Sequence, residues 1–198
     1  MNERLARQIA FLIEADKLKS VVRRTPIVDA SRLENSAEHS WHLVLVIMVL
    51  REHGPAGIDW MRVMEMVVVH DLVEIDAGDV SAYDIGALEA KALRECAAAD
   101  RIFGLLPADQ RACFRRLWDD FEAQETPEAR FANAVDRLQP LLQNEHAGGG
   151  SWCAQALADE QILRRMAPIE TTMPDVWPHV LEVVESFCRA GVLRRTRE

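Results

Sequence analysis

Apolar residues recur at helical spacing along almost the whole chain, and no segment sustains an alternation of period two. That pattern confines the chain to an all-α fold. Leu5, Ile9, Leu12 and Ile13 mark an amphipathic helix over residues 3–19. The segment from Val21 to Glu34 holds Pro26 and the pair Arg23-Arg24, breaks the pattern and reads as an ordered loop. Ser36 offers a cap for a helix to about His53. Asp59 offers another for a helix through Glu74, with Trp60, Val63, Val67 and Val68 facing a core. A loop from Gly78 to Gly86 precedes an Ala- and Glu-rich helix over 87–103. Pro107 opens a helix over 107–123, and Thr126-Pro127 opens one over 127–146. Gly148-Gly149-Gly150 is the clearest flexible break. Helices over about 151–166 and 175–190 follow, and both are too short to fold alone. The expectation is one domain over residues 1–198, a bundle of seven to eight helices. Its core spans about 20–145, and the helices of about 151–190 pack on it.

Composition narrows the function. Apolar residues make up 49% of the chain and charged ones 28%, which excludes wholesale disorder. The net charge of −9 gives no general field for a phosphate backbone, so duplex nucleic acid is not an expected partner. The longest apolar run, Leu43 to Leu50, is eight residues, against the roughly twenty a membrane helix needs. Glu14 and Asp16 interrupt the first apolar stretch, so it does not read as a signal peptide. Cys96, Cys113, Cys153 and Cys188 are scattered and form no CxxC pair. They read as reduced, mostly buried thiols of a cytoplasmic protein. Met48, Met61, Met64 and Met66 read as core filler, and Trp41 and Trp60 as core or interface residues.

Chemistry concentrates in a few places. His70-Asp71 follows the apolar run Met64 to Val69, and a carboxylate at the buried end of such a helix is costly unless a cation meets it. His39 lies on the preceding helix, with His42 three residues on as a packing or supporting residue. Asp136 sits inside the apolar run Phe131 to Leu138. Two imidazoles and two carboxylates suit a divalent ion and leave positions open for water and substrate. Glu74 falls at i+4 from His70, one turn along the same face. No histidine lies between Asp71 and Asp136, which disfavours a di-iron oxygenase centre needing further ligands there. His53, His146 and His179 belong to no such constellation.

The ordered set Arg24-Thr25-Pro26, Glu34-Asn35-Ser36-Ala37-Glu38-His39-Ser40, His70-Asp71-Leu72-Val73-Glu74, Gly78-Asp79 and Asp136 resembles the HD-domain metal-dependent phosphohydrolases, in particular the 5′-deoxynucleotidase-like branch, over about residues 5–145. The resemblance implies His39, His70, Asp71 and Asp136 as ligands of one divalent ion, whether Mn, Co, Fe, Ni, Zn or Mg. It implies Glu74 as the residue that orients or deprotonates water. It implies Asp79 at the sugar or the water and Arg24 on the phosphate, although the neighbouring Arg23 offers the same chemistry. The implied activity is release of phosphate from a nucleoside 5′-monophosphate by a homodimer. Phosphodiester or triphosphate hydrolysis is the alternative, followed by a non-catalytic nucleotide-binding module. Thr25 stands where the branch has a tryptophan, and the loop after Asp79 differs, so sugar preference does not carry over.

Overall fold

The chain is seen in a computed structural model, which describes residues 2–81, 83 and 88–196. Helix α1 (Glu3–Ala15) is capped by Asn2 and leads through a 3-10 turn (Asp16–Ser20) into strand β1 (Val22–Pro26). Strand β2 (Leu33–Asn35) pairs with β1 in an antiparallel ribbon. This ribbon replaces the expected loop, because a three-residue strand is too short to show alternation in sequence. Helix α2 (Ser36–Leu50) follows. Its cap is Asn35 rather than Ser36, in a reciprocal box in which Asn35 Oδ1 accepts from the Glu38 amide and Glu38 accepts from the Asn35 amide. The Ser36 hydroxyl is thereby free for Glu74.

Helix α3 (Trp60–Val69) starts at the Asp59 cap and tightens into a 3-10 turn over His70–Val73, and the single turn α4 (Glu74–Ala77) follows. The expected continuous helix through Glu74 is therefore broken at the His-Asp pair. Beyond it lie α5 (Leu88–Phe103), α6 (Ala108–Ala123) and α7 (Pro127–His146). Pro107 occupies the cap of α6, one residue before the expected position. The expected helix over 151–166 is two pieces, α8 (Gly150–Ala154) and α9 (Asp159–Thr172). Ala156 turns left-handed between them, and Ala158 bridges to Arg194, a tertiary pairing that local propensity does not encode. Helix α10 (Trp177–Arg189) completes the described chain. Eight of these ten helices have ten or more residues, in keeping with an all-α bundle.

Helix α7 lies at the centre, in contact with α2, α3, α6 and α9. Phe131, Ala134, Val135, Leu138 and Leu141 are fully or almost fully buried along it. One apolar cluster runs from Phe11 to Leu193 and includes side chains of α9 and α10. The three glycines after α7 form a left-handed turn, with φ of +62°, +92° and +36°, rather than a loose break. A Cβ on Gly150 would lie 2.6 Å from Asn144 Oδ1 and 2.9 Å from Pro26 Cγ, so only glycine allows α8 to close onto the ribbon.

Several burial expectations fail for one reason: sequence spacing defines a stripe but not what covers it. Leu5, Ile9, Leu12 and Ile13 are exposed, and Phe11 is the buried residue of α1. Met48, Met61 and Val68 are exposed, and Met66 is buried. Cys96, Cys113 and Cys153 are exposed and Cys188 is half-buried; none forms a disulfide. Among the described residues, no helix is long and apolar enough to cross a membrane.

Candidate metal centre

The bundle gathers His39 from α2, His70 and Asp71 from the 3-10 turn, and Asp136 from α7. One ligand atom each of His39, His70 and Asp136 lies within 4.8 Å of the others. Asp136 Oδ1 is 2.9 Å from His39 Nε2 and 3.7 Å from His70 Nε2. Asp71 approaches with Oδ1 3.0 Å from His70 Nε2 and Oδ2 4.0 Å from His39 Nε2. Donor atoms about 2.1 Å from a shared ion stand about 3.0 Å apart at right angles and about 4.2 Å apart across it. The observed separations span that range.

The hydrogen bonds behind the histidines fix which nitrogens face inward. His70 Nδ1 is 2.9 Å from the Val67 carbonyl, which only accepts, so Nδ1 carries the proton. Gln139 Nε2 lies 2.8 Å from Glu34 Oε1, which also only accepts. The amide oxygen of Gln139 must then face His39 Nδ1, at 2.9 Å, and accept its proton. Both histidines thus direct an Nε2 lone pair at the Asp136 carboxylate. Two lone pairs aimed at one anionic oxygen repel unless a cation or proton lies between. His70 Nε2 is buried and has no hydrogen-bond partner among the described residues. The donor set therefore fits a divalent ion, and Val67 and Gln139 supply the outer hydrogen bonds that such ligands need.

Charge agrees with this. Burial and the Arg23 charge pull His39 down, but the neighbouring carboxylates of Asp136 and Glu34 outweigh them, and it ends above its ordinary value. His70 is raised well above its own against burial, by Asp71 and Asp136. Burial pushes Asp136 up, yet the close approach of His39 and His70 holds it well below the usual carboxylate range.

A cavity of about 130 Å³ opens beside the cluster. Asp71 and Asp136 line it, as do Glu74 and Asp79. Glu74 is buried, accepts a 2.7 Å hydrogen bond from Ser36, and is pushed up to about 8 by burial, Asp71 and Asp79, with Arg23 opposing. Burial also raises Asp79. The two β1 arginines divide. Arg23 is largely buried, 3.0 Å from Asp71 Oδ2 and 3.5 Å from Glu34 Oε2, whereas Arg24 stands exposed at the cavity wall.

Sequence reasoning missed the wall formed by α7, α8 and α9, where Arg137, Asn144, Ser151, Gln155 and Arg165 reach the cavity. The signal for Arg137 was its place directly after Asp136; none existed for Arg165. Burial and the neighbouring Arg165 bring Arg137 down to about 10. The remaining histidines stay outside. His42 accepts from Gln139, His53 faces Asp175, His146 caps back to the Leu142 carbonyl, and His179 meets Glu145.

Comparison with known proteins follows the same lines. Residues 15–177 match the family described as HD domain. The chain is 29% identical over 136 residues to the 5′-deoxynucleotidase HDDC2 of Homo sapiens, covering 68% of this chain and 65% of that protein. It is 26% identical over 142 residues to the 5′-deoxynucleotidase YBR242W of Saccharomyces cerevisiae, covering 68% and 58%. The chain thus spans under two thirds of these relatives' lengths. A crystal structure of a predicted metal-dependent phosphohydrolase from Magnetospirillum magnetotacticum MS-1 superposes with a TM-score of 0.91 at 42% identity, covering 97% of this chain and 99% of that one. A conserved hypothetical protein from Pyrococcus furiosus shares the fold, with a TM-score of 0.60 at 19% identity, covering 91% of this chain and 99% of that one. With a family match over most of its length and a histidine-aspartate cluster at the junction of α2, α3 and α7, the chain belongs to the HD domain family.

Proposed function

We propose that the chain is a metal-dependent phosphomonoesterase that releases phosphate from (deoxy)nucleoside 5′-monophosphates. One observation carries this: paired imidazole lone pairs converge on Asp136 at the edge of a cavity that also presents arginines and the buried Glu74. His39, His70, Asp71 and Asp136 would hold one divalent ion, and such an ion supplies Lewis acidity to a water and to a phosphoryl oxygen. Glu74 takes the proton of the attacking water at its carboxylate, oriented by the Ser36 hydroxyl. Arg24 meets the phosphoryl oxygens, and a guanidinium fork suits them. Arg23 is committed to Asp71 and Glu34, so it holds a metal-ligand carboxylate in place and adds positive charge behind the phosphoryl group. Asp79 contacts the sugar or the water.

The test is phosphate release from a panel of ribo- and deoxyribonucleoside 5′-monophosphates, with single divalent metals added to chelated protein. Turnover that requires metal is expected. A phosphodiester or triphosphate cleaved faster than every monophosphate rejects the monoesterase reading, and binding without turnover of anything leaves a non-catalytic module.

A homodimer accompanies this reading. From Leu43 to Leu50 helix α2 is apolar on all sides, and the helix exposes Trp41, Leu45, Met48 and Val49 while burying Leu43, Val46 and Ile47. A helix with two apolar faces wants two partners, and a second copy of the chain can supply the outer one. Light scattering at micromolar concentration should give twice the chain mass, and W41D/M48D should give a monomer. A wild-type monomer rejects the dimer. The free thiols and the acidic composition fit a reducing cytoplasm and a small-molecule substrate rather than duplex nucleic acid.

A further inference from the structure

The cavity's cations are not equally satisfied. Arg23 is paired with Asp71 and Glu34, and Lys91 with Glu95. Arg137 and Arg165 differ. Arg137 donates to the neutral Gln124 Oε1, at 3.3 Å, and has no carboxylate partner among the described residues, whereas Arg23, whose Nε is likewise buried without a hydrogen bond, has two. Arg165 has one partner among them, Asp136 Oδ2 at 3.3 Å. That oxygen is the second one of a carboxylate whose Oδ1 faces the histidines. Arg165 thus stands beside Asp136 Oδ2, an oxygen other than the one facing the histidines, and Arg137 lines the same cavity.

Two neighbouring guanidiniums repel, and a half-buried one without an anion is costly. The arrangement is stable in function when an anion joins them, and paired arginines suit a planar or tetrahedral oxyanion bidentately. In the proposed reaction the phosphoryl group to be hydrolysed is held by the ion, Glu74 and Arg24, which leaves Arg137 and Arg165 for a second anion in the same cavity.

We propose that Arg137 and Arg165 form a second anion subsite, so that the preferred substrate carries a further phosphate or carboxylate beyond its reacting phosphoryl group. The proposal rests on the phosphomonoesterase reading and narrows its substrate class. The subsite is built from α7 and α9, so it is contributed partly by the region outside the core the sequence motifs mark.

Two matched pairs of compounds test it on the full metal-loaded chain. The first is 2′-deoxyadenosine 3′,5′-bisphosphate against 2′-deoxyadenosine 5′-monophosphate. The second is 3-phosphoglycerate against glycerol 3-phosphate. In at least one pair the doubly anionic member should have a kcat/KM about tenfold to a hundredfold higher, the scale of one charge-assisted contact. The pair that responds identifies the second anion as phosphate or carboxylate. Arg137→Gln and Arg165→Gln should each bring that ratio close to one, and Arg165→Lys should restore part of it. Ratios near one in both pairs overturn the subsite, as does a preference that survives both glutamine substitutions. Calorimetric binding of the same compounds separates the two claims. A binding preference that needs both arginines upholds the subsite even if nothing is turned over, and only the phosphomonoesterase reading then fails.

Discussion

Glu74→Gln should lower phosphate release by about 10²–10⁴-fold, the usual contribution of a positioned acid-base group, and leave bound metal unchanged. Glutamine keeps the size of the side chain and can still accept from the Ser36 hydroxyl, which lies 2.7 Å from Glu74 Oε2. It cannot take a proton from water. Glu74 is suited to that task because burial, Asp71 and Asp79 raise its affinity for protons, and Arg23 limits the rise. Phosphate assay and elemental analysis on one preparation check both halves. Full activity in the variant removes Glu74 from the chemistry. Loss of metal moves it into the ligand set.

Chelation should lower the melting temperature by about 5–10 °C relative to protein held at a hundredfold excess of metal over its Kd. The arithmetic is about 2.7 kcal/mol of binding linkage at about 2–4 °C per kcal/mol for a domain of this size. Asp136→Asn should abolish that difference. The amide keeps the shape of the side chain but removes the anion on which both histidine nitrogens converge. The variant's melting curve should then be the same with chelator and with metal, and its phosphate release should fall to background. A wild-type melting temperature indifferent to metal rejects the centre outright.

The parts of the site that were legible in sequence are those in which chemistry is written as adjacency. His70-Asp71 at the end of an apolar run, and Asp136 within another, stand out because burying a carboxylate demands a reason. The all-α character was legible because periodicity extends over whole helices. Other features depend on contacts between distant segments. The β1–β2 ribbon pairs strands of five and three residues, too short for alternation to register. The break between α8 and α9 follows from the pairing of Ala158 with Arg194. Which β1 arginine turns inward was equally hidden: neighbouring residues point to opposite faces of a strand, and nothing in Arg23-Arg24 says which face meets Asp71. Arg165 carries no local mark at all and reaches the cavity only because α9 packs along α7.

The span of the proposed ligand set sets an order of events during synthesis. His39 and Asp136 are 97 residues apart. At roughly 5–20 residues per second, the ribosome needs about 5–20 s to pass from one to the other. Until then the nascent chain offers only His39, His70 and Asp71, on helices whose central packing partner, α7, does not yet exist. A centre built from these four residues can therefore be complete only after α7 has emerged, and a ribosome-bound fragment ending before α7 should bind metal more weakly than the full chain.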